Sequence, residues 1–261
     1  MSSDQHAMTK AIVTGGAQGI GNAIASRLVA EGCKSIALIG RDKEKGARAV
    51  AVLEKLGAEA IFISADISDE KAALDAVAQA SKKFGVINVL ANAAATSARA
   101  SLLETTRENF DFMFHTNVLG PMLLMQGVVK GLIAAKQPGS IVNVLSMSGH
   151  GGQPFLTPYS ASKAALAGVT KNAAYAYRKN RIRVNAVMPG WMDTEGEDLV
   201  QKKWHNAPHN WLELAEKAAP MGQLVKPRQL AQLVSYMLSP NAGVMTGALV
   251  DYDQTIIGPH D

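Results

Sequence analysis

One cysteine, Cys33, stands in 261 residues. A disulfide within the chain and a cysteine-rich metal site are both excluded. The lone thiol fits a reducing compartment, and burial as a small apolar side chain is the role expected of it. Charge is sparse as well: charged residues make up 18% of the chain against 48% hydrophobic, which excludes a disordered protein and fits a globular one. The formal charge is only +4, and basic residues gather at Lys82-Lys83, at Lys202-Lys203 and between Arg178 and Arg183. No long basic stripe with interleaved aromatics is present, so these are solvated faces and no nucleic-acid partner is expected. The opening "MSSDQHAMTK" has no basic stretch followed by an apolar one, and it does not read as a secretory signal. No apolar run reads as long enough to cross a bilayer. A soluble cytoplasmic protein with no membrane partner is the expectation.

What is present is a rhythm. "KAIVTG" at 10–15 reads as a buried strand, and the helix after it ends at Gly32. "SIALIG" at 35–40 is the next strand, followed by a helix that runs to about Leu56 and stops at Gly57. "AEAIFISAD", "INVLANAA", "SIVNVLS", "RIRVNAVMPG" and "ALVDYD" continue the series. Strands alternating with helices at this spacing predict right-handed crossovers and a parallel sheet covered on both faces. No break in composition divides 1–261, so one α/β domain is expected. The irregular stretch 190–222 is rich in Trp, His, Glu and Asn, with prolines at 208 and 220. A loop-rich segment of that length reads as a substrate lid.

The first strand runs into "TGGAQGIG", residues 14–21. Gly15, Gly19 and Gly21 permit a tight turn and let backbone N–H groups approach a phosphate at a helix N-terminus. The spacing G-x-x-x-G-x-G differs from the usual dinucleotide turn, but its position between first strand and first helix reads as a phosphate cradle. The second strand ends "LIGRD", with Gly40 where an acid for the ribose would stand. Arg41 either pairs with a 2′-phosphate or merely opens a solvated helix capped by Asp42. Gln18 adds no second positive charge, so NADP is favoured over NAD by a narrow margin. Asp66 in "SADISD" either holds an adenine amino group or caps the helix that begins near Asp69.

In "PYSASKAAL", Tyr159 and Lys163 stand four apart and share one helix face. A free tyrosine titrates near pKa ~10, too high for efficient proton transfer near neutrality. A neighbouring ammonium, with the positive ring of an oxidised nicotinamide, would stabilise the phenolate and lower that value. Tyr159 is then the general acid/base and Lys163 its tuner, with Ser146 bonding the substrate oxygen.

Together these motifs resemble the short-chain dehydrogenase/reductase family over nearly the whole chain. "TGGAQGIG" is similar to its T-G-x-x-x-G-x-G turn, and "ANAA" at 91–94 to its N-N-A-G motif, from which Ala91 and Ala94 depart. "HTNVLG" resembles the active-site asparagine segment, "NVLSMSG" the serine segment, "YSASK" the Y-x-x-x-K motif and "MPGWMDT" the segment beside the nicotinamide. The resemblance implies a Rossmann-type doubly wound parallel sheet in a single domain, and a tetrad of Asn117, Ser146, Tyr159 and Lys163. It implies that Asn117 holds a water passing protons from Lys163 to solvent, and that Lys163 also bonds the nicotinamide ribose. Ile20, Ile67, Asn92, Pro189, Gly190 and Thr194 join the cofactor contacts, Thr194 at the carboxamide; a purely structural role for Asn92 is equally open. The family often ends V-D-G-G, whereas this chain reads "VDYDQT", so Tyr252 and Asp253 depart from it in a region that implies subunit contact. A homotetramer or homodimer is expected.

Candidate substrate contacts are Ser148, His150, Gln153, Trp191, Trp204 and His205. "KKWHNAPHNW" at 202–211 suits a hydroxylated substrate, since sugar rings stack on Trp; the alternative is tryptophans packed on the lid itself. No metal is expected: His205 and His209 lack a third ligand and Pro208 breaks their helix. His115 reads as a packed helix residue. The reaction expected is interconversion of a secondary alcohol and a ketone with NAD(P), on a polyol, sugar or other small hydroxy compound. A 3-oxoacyl thioester reductase and a non-catalytic dinucleotide-sensing regulator are the alternatives. Epimerase or dehydratase chemistry would ask for a larger C-terminal substrate domain.

Overall fold

Aliphatic runs of four to eight residues make the strands of this protein, seen in a computed structural model that describes residues 4–258. They are β1 Lys10–Thr14, β2 Ser35–Gly40, β3 Glu59–Ser64, β4 Val89–Asn92, β5 Gly139–Val144, β6 Ile182–Pro189 and β7 Leu249–Tyr252. All pair in parallel, in the order β3-β2-β1-β4-β5-β6-β7. The order reverses between β1 and β4, and a crevice opens at that point beyond the strands' carboxyl ends. The single α/β domain expected over 1–261 is thus seen over 4–258; its first and last three positions lie outside the described residues.

Strand side chains alternate between two cores. Ala11 and Val13, with Ile36 and Leu38, face helices α1 Gly19–Ala30, α2 Lys43–Lys55 and α9 Pro227–Leu238. Ile12, Ala37, Ile39 and Leu90 face α3 Glu70–Phe84, α5 Gly120–Ala135 and α6 Thr157–Tyr177. Both faces are apolar because both are covered, which is why the strands read as continuous hydrophobic runs. Cys33 is buried as expected, its thiol directed at the Ser35 carbonyl 3.4 Å away and raised to about 11 by burial. Gly32 and Gly57 follow α1 and α2 with φ of 102° and 90°, which stops both helices where the sequence places their ends.

Two expectations change. A π-helical turn, His115–Leu119, joins α4 Arg107–Phe114 to α5, so 107–135 is one helical run. That run is long and apolar enough, by length and composition, to cross a membrane, which the sequence reading did not expect. Its apolar residues Leu123, Leu124, Val128 and Leu132 are buried in the core against the sheet. The stretch 190–222 is not mainly loop: it holds α7 Glu195–Trp204 and α8 Trp211–Ala218. Thr194 caps α7 by accepting from the Glu197 N–H at 3.0 Å, a signal read in the sequence only as a cofactor contact.

Where α5 begins, Gly120 lies so close to Ile67 that a Cβ would meet its carbonyl oxygen at 2.6 Å. Backbone cannot yield as a side chain can. Gly120→Ala is therefore expected to cost about 1–3 kcal/mol through overpacking, read as a lowered thermal midpoint with unchanged cooperativity.

Candidate active site

The crevice is about 1440 Å³, and its walls carry the residues singled out at both ends of the sequence pattern. At one end, Gly15 has φ 64° and Gly19 φ 53°, and a Cβ on Gly15 would sit 3.1 Å from the Ala94 backbone. Only glycine keeps this turn open and tight at once. The buried Thr14 hydroxyl accepts from the N–H groups of Ala93 and Ala94 at 3.0 and 2.9 Å, clipping β1 to the end of β4 beneath the turn. A cradle of this kind fits a dinucleotide pyrophosphate, with Ile20 and Ile67 beside it.

Asp42 caps α2 by accepting from the Lys45 N–H at 3.0 Å, while Asp69 caps α3. Asp66 is therefore no helix cap. It binds the Ser68 N–H and hydroxyl, at 3.0 and 2.7 Å, and its second oxygen lies 3.7 Å from Arg41. Partial burial opposes ionisation of Asp66, but the Ser68 bonds and the Arg41 charge outweigh it and hold the carboxyl below its ordinary value. The sequence reading found one cation at this corner; there are two. Lys45, one helical turn beyond Arg41, reaches the Gln18 side-chain oxygen at 2.6 Å. Its sequence signal was only a lysine in a solvated first turn.

At the other end, Ser146 follows β5 and Tyr159 and Lys163 lie on the first turns of α6. Lys163 is 3% exposed and donates to the Val144 carbonyl at 2.8 Å. Its ammonium lies 5.7 Å from the centre of the Tyr159 ring, and no carboxylate meets it among the described residues. Burial alone lowers Lys163 to about 8. Tyr159 departs from the expectation of a lowered phenol: in the protein alone burial raises it, a bond with Ser146 acts the other way, and the Glu197 charge raises it further. The expected lowering thus requires the positive ring of the bound cofactor.

Asn117 sits in the π turn with both ends of its amide engaged. Its oxygen accepts from Thr96 N–H at 2.9 Å, and its nitrogen donates to the Thr96 carbonyl at 2.9 Å and the Ser162 hydroxyl at 3.0 Å. Its side chain orders the loop after β4. Asn92 donates to Asn143 at 2.8 Å, and Asn143 to Thr170 at 2.9 Å, a buried chain linking β4, β5 and α6. The Asn92 nitrogen is engaged in this chain, while its side-chain oxygen is buried without a partner among the described residues. Gly190 donates to the Tyr252 carbonyl at 3.1 Å, and a Cβ there would strike the Asp253 carboxylate. Asp253 therefore lines the crevice, beside Pro189, Gly190 and Thr194, while Tyr252 packs against the core.

Of the substrate candidates, Ser148, Gln153, Trp191 and His205 line the crevice. Ser146, Ser148 and Gln153 form a relay, with hydroxyl oxygens 3.1 Å apart and Ser148 donating to Gln153 at 2.6 Å. His150 does not line it; it ends a 3-10 turn, residues 147–150, and its ring pairs with Asp251 of β7 at 3.0 Å. Trp204 is turned outward, 55% exposed beneath the Lys203 ammonium. Trp191 donates to Glu197 at 2.9 Å and stacks on buried Trp211, whose own N–H goes to Asp198 at 2.8 Å. His115 is exposed rather than packed, its ring bonded to the Asp111 carbonyl. Arg99, Phe155 and Glu197 line the crevice without having been singled out, since each reaches it from a loop or a first helical turn whose path no local pattern reveals.

A family model described as enoyl-(acyl carrier protein) reductase matches residues 15–254. The chain belongs to the short-chain dehydrogenase/reductase family, and it is an NAD(P)-dependent oxidoreductase. It is 32% identical to a sorbitol dehydrogenase of Cereibacter sphaeroides, over 93% of this chain and 95% of that one. It is 33% identical to a galactitol 2-dehydrogenase of Agrobacterium fabrum, over 93% and 95%. Among solved structures, an NAD+-bound xylitol dehydrogenase superposes with a TM-score of 0.88 at 27% identity, over 98% of this chain and 100% of that one. An actinorhodin polyketide ketoreductase with NADPH superposes with a TM-score of 0.88 at 29% identity, over 94% and 95%.

The Lys163 shift has a sign. Between pH 8 and 10.5 the unfolded chain holds a proton at this site that the folded protein has lost, so folding stability rises with pH across that window. Below it the full penalty is present. Lys163→Met is expected to stabilise the cofactor-free protein at pH 7 by up to about 3 kcal/mol, less what the stranded Val144 carbonyl costs. Thermal midpoints of both proteins should converge as pH is raised from 8 to 10.5.

Proposed function

We propose that this protein is a dehydrogenase of hydroxylated small molecules, a polyol or sugar, working with NADP in preference to NAD. The observation that carries the reading is the convergence of Ser146, Tyr159 and Lys163 at one end of a crevice whose other end is a glycine cradle. The sorbitol, galactitol and xylitol dehydrogenases it resembles support the substrate class.

When bound, the nicotinamide supplies the hydride acceptor or donor. In the oxidative direction Tyr159, as phenolate, takes the proton of the substrate hydroxyl while the hydride leaves the same carbon. Ser146 donates to the substrate oxygen and stabilises the charge on it. Lys163 spends one proton on Val144 and has two left, for the ribose hydroxyls and for a water. Because the Asn117 amide is fully engaged, that water is held by its backbone carbonyl. Thr194 accepts from Glu197 and keeps its hydroxyl proton for the carboxamide, with Pro189 and Gly190 shaping the wall beside it. The segment 190–222 is the lid, with Trp191 and His205 on its inner side. Arg41 and Lys45 together take the 2′-phosphate, and Asp66 takes the adenine amino group once Arg41 has turned to the phosphate. Exposed apolar residues on α4 to α6, among them Phe110, Ile133 and Tyr175, support a homotetramer or homodimer, and the single thiol supports a cytoplasmic setting.

A second reading, reduction of a 3-oxoacyl thioester, is favoured by the ketoreductase likeness and the family model's description. Absorbance of the reduced nicotinamide, followed over polyols, sugars, simple alcohols and oxoacyl thioesters, separates the two. Turnover with the polyol group is expected, and Tyr159→Phe should reduce it by about 10²-fold or more with cofactor binding retained. Turnover with thioesters alone would reverse the assignment. Replacing Arg41 and Lys45 with Ala is expected to raise the KM for NADP by about 10-fold or more, with little change for NAD. Equal effects on both cofactors would return the two cations to the solvated helix.

A further inference from the structure

Arg99 stands in the substrate end of the crevice without an acid. The segment that carries it is pinned at both ends: Thr96 by Asn117, and Ala100 by backbone bonds to Phe155 and Thr157 at 3.0 and 3.1 Å. Thr157 opens the helix of Tyr159, so Arg99 is fixed relative to the reacting groups. Its guanidinium lies 5.1 Å over the Phe155 ring, and its Nε is buried with no hydrogen-bond partner. No carboxylate comes within ion-pair distance of it among the described residues. Its terminal N–H groups make no hydrogen bond among the described residues and are not enclosed, and that end of the fork matches a carboxylate with two parallel bonds.

The neighbouring groups define the remainder of the ligand. Ser148 and Gln153 offer a hydroxyl and an amide at one wall. Glu197 is a carboxylate at another, held by Trp191 and by Gln201 at 2.6 Å. Glu197 accepts hydroxyl protons and repels a second acid, so it orients an acidic substrate with its charged end at Arg99. Resting on the hydroxylated-substrate reading above, we infer that Arg99 is a specificity residue that binds the carboxylate of a polyhydroxy acid, oxidised at a secondary hydroxyl.

The test uses the full-length Tyr159→Phe protein saturated with oxidised cofactor, which binds without turning over. Gluconate, galactonate and mannonate are titrated against sorbitol, galactitol and mannitol, with tryptophan fluorescence as the readout. One acid is expected to bind about 10- to 100-fold more tightly than its matched polyol. Arg99→Met should erase that difference, and Arg99→Lys should keep part of it, because a point charge lacks the fork. Polyols that bind as tightly as the acids, or a preference that survives Arg99→Met, would overturn the assignment while leaving the hydroxylated-substrate reading intact. If neither series binds while an oxoacyl thioester does, both fall.

Discussion

A buried ammonium without a carboxylate is the constraint on which the site depends. Lys163 has the Val144 carbonyl and little else, and burial depresses it to about 8. An acid beside it would stabilise the fold and spoil the chemistry, since the field of the pair would cancel at Tyr159. The protein instead keeps a cation that its surroundings penalise, with protons free for hydroxyl oxygens. The penalty is tolerated because two apolar cores surround the sheet on which the site rests. Tyr159 is the mirror case: its burial raises the phenol, so the protein alone holds it as an acid. Burial biases both lysine and tyrosine toward their neutral forms, and a positive ring beside them would favour the phenolate while disfavouring the ammonium further.

Buried polar side chains hold the pieces in register. Thr14 fixes the loop after β4 from below, Asn117 fixes the same loop at Thr96, and Asn92, Asn143 and Thr170 run a chain of bonds from the sheet into α6. Buried polar groups are costly when unpaired, and all of these bonds are made, with only the Asn92 oxygen of this set left without a partner. The effect is to position the ends of β4 and β5 and the start of α6 against one another. Those three places carry Arg99, Ser146 and Tyr159.

The strands were legible because both sheet faces are buried, which turns each strand into an uninterrupted apolar run bounded by glycine or polar residues. The order of motifs made Ser146, Tyr159 and Lys163 legible for a different reason: a parallel sheet brings every strand's carboxyl end to one edge. Other features depend on side-chain reach, which spacing does not encode. Lys45 meets Gln18 only because α2 leaves the sheet at one particular angle. His150 was read as facing the substrate, yet Asp251 on a strand a hundred residues away holds it outside the crevice. Asp253 departs from the family's pattern in the sequence and lies against Gly190 in the fold, a meeting that requires the register of β6 with β7. The helices of 190–222 were missed because Trp, His and Asn suggested irregularity, while the Thr194 cap and the acids after it mark a helix start.

That cap joins functions that the sequence keeps apart. Thr194, proposed to bond the carboxamide, also accepts the N–H of Glu197. Glu197 holds Trp191 and Gln201, and its charge raises Tyr159. One turn of α7 thus touches the proposed cofactor site, the inner face of the proposed lid and the acid itself. A rearrangement that draws Thr194 toward a carboxamide must carry the Glu197 carboxylate with it, because the two share a cap. The lid's other anchor lies at Lys226, which bonds Asp193 at 2.8 Å and also pairs with Glu216 of α8. Lys226 thus ties the start of the segment at Asp193 to α8 at Glu216, while Trp204 at the end of α7 is exposed.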